Sequence, residues 1–583
     1  MSGARITRLS GALAEATPLR GVSLYELVRV GTRGLLGEVV RVEGERGVIQ
    51  VYEDTTGLCI GEPVAPTGAP LTVTLGPGLL GAVVDGVGRP LERLAEASGD
   101  FIRPGLAADT LDGARRWPFV PVVHAGDSVA GGDVLGEVEE RPGFTHRILV
   151  PPDMAGTVGE IAAGEYTVKD AVARLTEGRE LFLAQRWGVR SPRPIGRRIP
   201  SRRPFVTGQR VFDFLFPVAE GGSVAVPGGF GTGKTVIEQS LAKYAAADVV
   251  IYVGCGERGN EMAEVLEEFP RLVDPRTGRS IMDRTVLVVN TSNMPVAARE
   301  ASVYVGITIA EYYRDQGYRV ALMADSLSRW AEALREIGAR LQEMPGEEGY
   351  PTYLGNRLGK FYERAGFAEA LGRPPREGAV TLISAISPPG GDFSEPVTQA
   401  SLRVVGALWA LDPALAHQRQ FPAVDWDVSY SLQAEAVAPW FAEHVGADWD
   451  ACRRRTLDLM QRERELREIA GLVGPEALQD RDRLLLEVAR IVRETVLGQS
   501  AYDPNDAASP VEKTYRLAVL ADALYRTALA ALDAGVAFEA LDLGAVGRAL
   551  AALRRAAPAD VAARATAAEA AVAALAPAPS VTP

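Results

Sequence analysis

The sequence predicts a multidomain α/β protein: an N-terminal β-barrel, an inserted β-rich module, a parallel-sheet α/β domain and a helical C-terminal domain. Three observations carry that expectation. Short alternating runs broken by glycine fill much of the first 75 residues. From Pro204 to about Glu435 apolar strands alternate with helical stretches. Beyond Val437 strand patterning gives way to long amphipathic stretches such as 481–497 and 511–534. At 583 residues, a typical domain of about 150 residues gives three or four domains, each large enough for its own core.

Taken in order, residues 1–75 hold runs such as Glu38-Val39-Val40-Arg41-Val42 and Val48-Ile49-Gln50-Val51-Tyr52, which predict antiparallel strands and a small barrel. Residues 76–110, opening on Gly76-Pro77-Gly78, read as a connector. Residues 111–185 contain two related halves. The first runs through Ala125-Gly126-Asp127-Ser128-Val129 and Gly132-Asp133-Val134-Leu135, the second through Val150-Pro151-Pro152 and Gly156-Thr157-Val158-Gly159-Glu160-Ile161. These resemble the half-motifs of lipoyl- or biotinyl-type barrels. A carrier of that kind places its lysine in the hairpin between the halves, where this chain has Glu139-Glu140-Arg141-Pro142-Gly143; a structural or docking module is therefore expected. In residues 186–436 the strands 223–226, 249–253, 285–289, 319–324 and 380–386 alternate with helices 236–246, 261–269 and 296–316. Apolar strands in that alternation predict a parallel sheet covered on both faces. Residues 437–583 form the helical domain, ending in an alanine-rich helix and a frayed tail.

Composition removes several classes. Sixty-two Lys+Arg against 75 Asp+Glu leave a formal charge of −13, without the basic footprint of a nucleic-acid coat, so no nucleic-acid partner is expected. Cys59, Cys255 and Cys452 are too far apart for a CxxC zinc site or a disulfide framework, and a reducing compartment is expected. No uncharged apolar run reaches the 18 residues of a spanning helix, and Met1 to Leu13 has no long apolar stretch behind Arg5 and Arg8. Only five of the 62 cationic residues are lysine: Lys169, Lys234, Lys243, Lys360 and Lys513. A lysine inside a motif is therefore informative, because it supplies a compact point charge where arginine supplies a planar fork.

One lysine stands in such a motif. Gly228-Gly229-Phe230-Gly231-Thr232-Gly233-Lys234-Thr235 satisfies GxxxxGK[ST], following the strand Val224-Ala225-Val226 and opening a helix at Val236. Glycines let successive backbone N–H groups turn inward as an anion nest that adds to the helix N-terminal dipole. Lys234 is expected over the β- and γ-phosphates of a nucleotide, and the Thr235 hydroxyl on Mg²⁺. Arg319 to Asp325 is an apolar strand ending in a carboxylate. Ligands of such sheets bind at the carboxyl ends of strands, which directs Asp325 toward the metal's water shell. Ser326 follows Asp325, where many P-loop ATPases carry a catalytic Glu, so the base is sought elsewhere. The strand after the P-loop helix runs into Gly254-Cys255-Gly256-Glu257-Arg258-Gly259-Asn260-Glu261 and delivers Glu257 to the same sheet edge. Spacing alone fits Glu257 equally to a catalytic carboxylate and to a helix N-terminal acid favoured by the dipole; we take the former, with Arg258 steadying phosphate or the Glu. Cys255 reads as a small packed residue.

Five segments together, GGFGTGKT at 228–235, GCGERGNEM at 254–262, VALMADSLSRW at 320–330, EGYPTYLGNRL at 348–358 and SAISPPGGDFSEPVT at 384–398, resemble the catalytic A subunits of V/A-type rotary ATPases. The resemblance spans essentially the whole chain. It implies a RecA-like nucleotide domain and an insertion at 111–185 specific to such A subunits. It implies Lys234, Glu257 and Arg258 as catalytic residues, a nucleotide loop from Gly228 to Val236, and Thr235 and Asp325 toward Mg²⁺ bound with ATP or ADP. The family's adenine pocket matches Phe421, with Gln499 and Ser500; core packing is the competing role for Phe421 and Gln499. Thr232 stands where some eukaryotic relatives have an oxidisable P-loop cysteine, so that redox switch is expected to be absent.

The implied activity is ATP synthesis from ADP and phosphate driven by an ion gradient, the proton being the expected ion, or ATP hydrolysis that pumps ions. The implied setting is an A3B3 hexamer whose B subunits supply an arginine finger. A central shaft, peripheral stalks and a membrane ion-translocating sector complete it, with this chain peripheral on the cytoplasmic face. The alternatives are a hexameric helicase or translocase, or a secretion ATPase, of the same core fold. The insertion counts against both, and the acidic charge against the helicase.

Overall fold

The computed structural model describes residues 3–99, 101–229, 231–474 and 477–576. The expected frayed tail beyond 576 lies outside the described residues. The chain forms two compact units, Met1–Pro200 with Ala247–Val404, and Ser201–Ala246 with Val405–Pro583. The nucleotide domain expected at 186–436 contributes to both.

The first unit opens with a six-stranded antiparallel sheet in the order Arg5–Ser10, Leu13–Thr17, Arg46–Val51, Leu35–Glu43, Glu26–Val30, Val64–Pro70. Ile6, Ala14, Ala16, Val28, Val30, Val39, Ile49 and Val51 pack together beneath it. Alternation of buried and exposed residues puts these side chains on one face. The expected barrel strands extend as predicted, and the sheet gains a first hairpin, residues 5–17, that the sequence pattern did not single out.

The inserted module is a pair of four-stranded sheets. One runs Phe144–Leu149, Val134–Arg141, Trp117–Pro121, Gly164–Tyr166, and the other Ser128–Val129, Gly156–Ile161, Ala171–Leu175, Glu180–Phe182. The hairpin between its halves, where a carrier's lysine would stand, has an exposed tip at Pro142-Gly143 but is anchored inward by the strand residues beside it. Glu140 is 2% exposed and His146 fully buried. Glu140 Oε1 accepts the amides of Gly78 (2.7 Å) and Leu80 (2.9 Å), and its Oε2 lies 2.6 Å from His146 Nδ1. On the other side of the ring, His146 Nε2 meets the Tyr312 hydroxyl at 2.8 Å, while the Tyr313 hydroxyl donates to Glu140 at 3.2 Å. Burial alone raises the Glu140 carboxyl, but His146 and the two amides outweigh it and hold the group below its ordinary range.

A parallel sheet occupies the centre of this unit, in the order Glu377–Ile386, Arg319–Asp325, Val249–Glu257, Thr285–Thr291, Val83–Asp85. Its last strand comes from the segment read as a connector. Val249 to Val253 are all 0% exposed, as expected for strands covered on both faces. The helix Val296–Asp315 buries nearly every side chain. Its acidic residues are paired: Glu300 with Arg190 (2.6 Å), Glu311 with Arg364 (2.6 Å), Asp315 with Arg193 (2.6 Å). Buried charges of this kind persist only with such partners.

The second unit holds the strand Ser223–Pro227 beside Ala407–Leu408 in parallel and Tyr430–Ser431, the helix Lys234–Tyr244, and the helical domain. That domain comprises Ala434–His444, Trp449–Val473, Asp480–Val492, Val511–Asp533, Leu543–Arg554 and Val561–Ala573. The stretch expected as one helix over 481–497 is α-helical to Val492 and closes with a π-turn, Arg493–Leu497.

Candidate functional site

In the second unit the buried strand Ser223–Pro227 runs through the glycine loop into the helix Lys234–Tyr244. Phe230 lies outside the described residues. Gly231 and Gly233 adopt φ of 76° and 86°, a left-handed backbone that disfavours any other residue. A Cβ on Gly228 would approach Thr232 Oγ1 to 2.6 Å and Leu411 to 2.9 Å, so crowding fixes that glycine. Thr232 is 2% exposed and closes the loop by donating its hydroxyl to the Gly229 carbonyl at 2.9 Å. Lys234 Nζ donates to the carbonyls of Gly228 (2.6 Å) and Gly229 (3.0 Å), folding back over the loop it follows. Thr235 lies in the first helical turn, where its hydroxyl is a hard oxygen donor of the kind Mg²⁺ takes.

The loop opens on a cavity of about 850 Å³, lined by Gly231 to Gly233 and Val236 and, from other segments, by Phe421, Gln499 and Ser500. Phe421 is half-buried and its carbonyl accepts the Gln499 amide at 2.8 Å. Both ends of the Gln499 side chain are committed. Oε1 accepts the Arg210 amide at 2.9 Å, and Nε2 donates to the Gly208 carbonyl at 2.9 Å. Gln499 thus shapes the wall. A cavity of this size, lined both by an aromatic ring and by a glycine-rich loop at a helix N-terminus, fits a nucleotide.

The first unit carries the carboxylates. Val249–Glu257 and Arg319–Asp325 are adjacent parallel strands, with Gly254 opposite Asp325. At Gly256 the backbone turns to φ 72° and the register to the neighbouring strand shifts. A Cβ there would approach Arg299 Cδ to 2.7 Å and Arg329 Cβ to 2.9 Å. That bulge aims Glu257 at the end of its strand. Burial first, and then the charge of Asp325, push the Glu257 carboxyl up to about 7; the Ser326 hydroxyl and the Arg329 guanidinium act in the opposite sense. Asp325 is 5% exposed and accepts the Tyr252 hydroxyl at 3.3 Å. A carboxylate titrating near neutrality is suited to accept a proton from water.

Arg258 caps the next helix, Gly259–Glu268, and its guanidinium lies 3.8 Å from Glu261. Cys255 is fully buried and its thiol is pushed up to about 12 by burial, the packed residue expected. Sequence reasoning passed over Arg329, four residues after Asp325 on the helix Leu327–Arg340, and over the Arg210 contacts behind Gln499. Arg329 lies inside the segment 320–330 without a role read for it there, no motif marks Arg210, and arginine is abundant throughout the chain. Among the described residues no cluster of three or more His, Cys, Asp or Glu is arranged to hold a metal by itself, and no helix is long and apolar enough to cross a membrane.

Comparison with known proteins gives a consistent answer. Residues 208–431 match the ATP synthase alpha/beta family nucleotide-binding domain, 6–68 its beta-barrel domain, 108–190 its barrel-sandwich domain, and 438–541 the C-terminal domain of V and A type ATP synthase. The chain is 58% identical to the V-type ATP synthase alpha chain of Anaeromyxobacter dehalogenans over 94% of its length and 95% of that protein's. It is 56% identical to the A subunit of the A-type ATP synthase of Methanosarcina barkeri, covering 88% of each. Among solved structures, the assembled ATPase EscN of the enteropathogenic E. coli type III secretion system aligns with a TM-score of 0.64 at 21% identity, over 89% of this chain and 99% of that one, a likeness of fold. With its barrel, barrel-sandwich module, P-loop domain and V/A-type C-terminal domain all present, the chain belongs to the ATP synthase alpha/beta family, among the V-type alpha chains and their A-type counterparts.

Proposed function

We propose that this chain is the catalytic subunit of a membrane-associated V/A-type rotary ATPase, making ATP from ADP and phosphate on an ion gradient or hydrolysing it to pump ions. The observation that carries the reading is the glycine loop headed by Lys234 and Thr235, opening on a nucleotide-sized cavity with Phe421 in its wall. The substrate is the nucleotide with its Mg²⁺. Backbone amides from Gly228 to Val236 and the Lys234 ammonium neutralise the phosphates. Thr235 would hold the metal and Asp325 its outer shell, and the ion would supply positive charge against that of the phosphates. Phe421 stacks on the base, with Gln499 and Ser500 completing the wall. Glu257 orients and deprotonates the attacking water, and Arg258 steadies the phosphates.

The neighbouring B subunit of an A3B3 ring supplies an arginine finger, a contribution of about 10³ to 10⁵ in rate. The isolated chain therefore binds nucleotide yet turns over poorly. The helical domain meets the central shaft, peripheral stalks steady the ring, and the chain sits peripherally on the cytoplasmic face beneath the ion-translocating sector, with protons as the expected ion. The test is Mg-ATP hydrolysis by complexes purified through a tag on this chain, comparing wild type, Glu257→Gln and the chain alone. Activity confined to the complex and lost in the variant supports the reading. Full activity of the isolated chain, above all with RNA stimulation, refutes it in favour of a helicase.

A further inference from the structure

Behind the aromatic wall of the cavity lies a fully buried ion pair that no step above uses. Arg210 and Asp506 are both 0% exposed, separated by 296 residues and joined at 2.6 Å. All three nitrogens of the Arg210 guanidinium bond to the stretch 496–506 that carries the cavity wall. Nε donates to the Val496 carbonyl at 2.8 Å, one terminal nitrogen to Asp506 Oδ1, the other to the Gly498 carbonyl at 2.5 Å. The second oxygen of Asp506 accepts the Ser500 amide at 2.8 Å and lies 3.3 Å from Arg554 Nε, at the end of the helix Leu543–Arg554. Arg554 in turn donates to the Glu494 carbonyl. Arg210 also uses its own amide, on Gln499.

We propose that Asp506, through Arg210 and Ser500, is a positioning residue for the nucleotide base: it sets the Gly498–Ser500 wall, and through the Gln499 amide the Phe421 segment, in the conformation that accepts a purine ring. The inference rests on the reading that the base occupies this cavity. Three features single out positioning from general support. The pair grips the wall segment by its backbone, so wall geometry follows the pair whatever the side chains are. The phosphate loop is held by its own bonds from Thr232 and Lys234, and among the described residues none of the bonds of this pair falls on it. Arg554 makes the same carboxylate a junction between the wall and the helical domain, so a shift of that helix reaches the base before it reaches the phosphates.

The test is equilibrium binding of ADP and of inorganic tripolyphosphate to the full chain, with KM and kcat for ATP in the assembled complex, for wild type, Asp506→Asn and Phe421→Ala. The expected result for Asp506→Asn is ADP affinity reduced about tenfold or more, because a charge-assisted network is broken, tripolyphosphate affinity within about twofold of wild type, and a raised KM with kcat retained. Unchanged ADP affinity in a folded Asp506→Asn chain overturns the proposal, and so does an equal loss of both ligands, which would mark Asp506 as general support. If Phe421→Ala leaves ADP affinity intact, the base lies elsewhere and the reading beneath the proposal falls with it. Should Asp506→Asn not fold, Arg210→Lys carries the test with the same readouts, since it keeps a cation on Asp506 and removes the bonds to Val496 and Gly498.

Discussion

Replacing Glu257 by glutamine should make the nucleotide- and metal-free chain more stable while it destroys turnover. Burial and the Asp325 charge push the Glu257 carboxyl from its ordinary 4.5 up to about 7. The folded chain therefore holds this proton more tightly than the unfolded chain does. Between pH 4.5 and 7 the unfolded state has released it and the folded state has not, so wild-type stability falls as pH rises through that window and levels off above it. At about 1.4 kcal/mol per pH unit, the gap from 4.5 to about 7 amounts to about 3 kcal/mol lost by pH 8. Glutamine is of the same size and does not titrate. Its stability should match wild type below pH 4.5 and exceed it at pH 8 by up to about 3 kcal/mol, while hydrolysis by the complex falls by about 10² to 10⁴ for loss of the base. Paired urea titrations of wild type and variant from pH 5 to 8 measure the difference directly. Parallel pH curves, or a variant less stable at pH 8, would refute the account of why this carboxylate titrates near neutrality.

Lys234→Arg should fail although it keeps the charge, because a planar fork cannot take the place of an ammonium seated over two loop carbonyls; ATP binding by the full chain should fall at least tenfold. Phe421→Ala should raise KM for ATP by roughly 1–3 kcal/mol equivalent, the range for a base stacked on an aromatic ring, and leave tripolyphosphate binding unchanged. Glu140→Gln should cost about 3 to 5 kcal/mol of stability by breaking a buried pair. Because the Glu140 carboxyl is held low, the wild-type advantage is complete above pH 4.5 and shrinks as pH falls below it, which denaturation at pH 4 and 7 checks. Mild thiol oxidants should leave ATPase activity unchanged, since Cys255 and Cys452 are buried with thiols pushed up to about 12 and Thr232 holds the P-loop position.

What could be read from the chain was local. The strand, glycine loop and helix around Lys234 announce themselves because phosphate binding needs consecutive residues in one order, and the apolar strands 249–253 and 319–324 because burial on both faces leaves no polar alternation. Glu257 could be placed at a sheet edge, but its titration near neutrality depends on burial and on the charge of Asp325, which arrives from another segment. The first hairpin escaped notice because Arg5–Ser10 buries Ile6 alone, leaving a run that looks polar. Val83–Asp85 escaped because three residues carry no period. Gln499 could be assigned to the adenine pocket by its neighbourhood, but not its commitment to Arg210 and Gly208, nearly three hundred residues earlier. Long-range polar pairing leaves no trace in local pattern, and in a chain where nearly every cation is arginine the important ones are not distinguished by type.

The anchored hairpin of the inserted module bears on how the chain carries load. In a carrier barrel the tip between the two halves swings a tethered group outward. Here the strands beside that tip are keyed into the body by Glu140 and His146, which meet the Gly78 and Leu80 amides and the hydroxyls of Tyr312 and Tyr313. A force applied to the module is therefore passed into the helix Val296–Asp315, which packs against the strands bearing Glu257 and Asp325. An architecture of mobile arms has become a strut, and excising it would leave a buried socket of unanswered hydroxyls and amides rather than a clean surface.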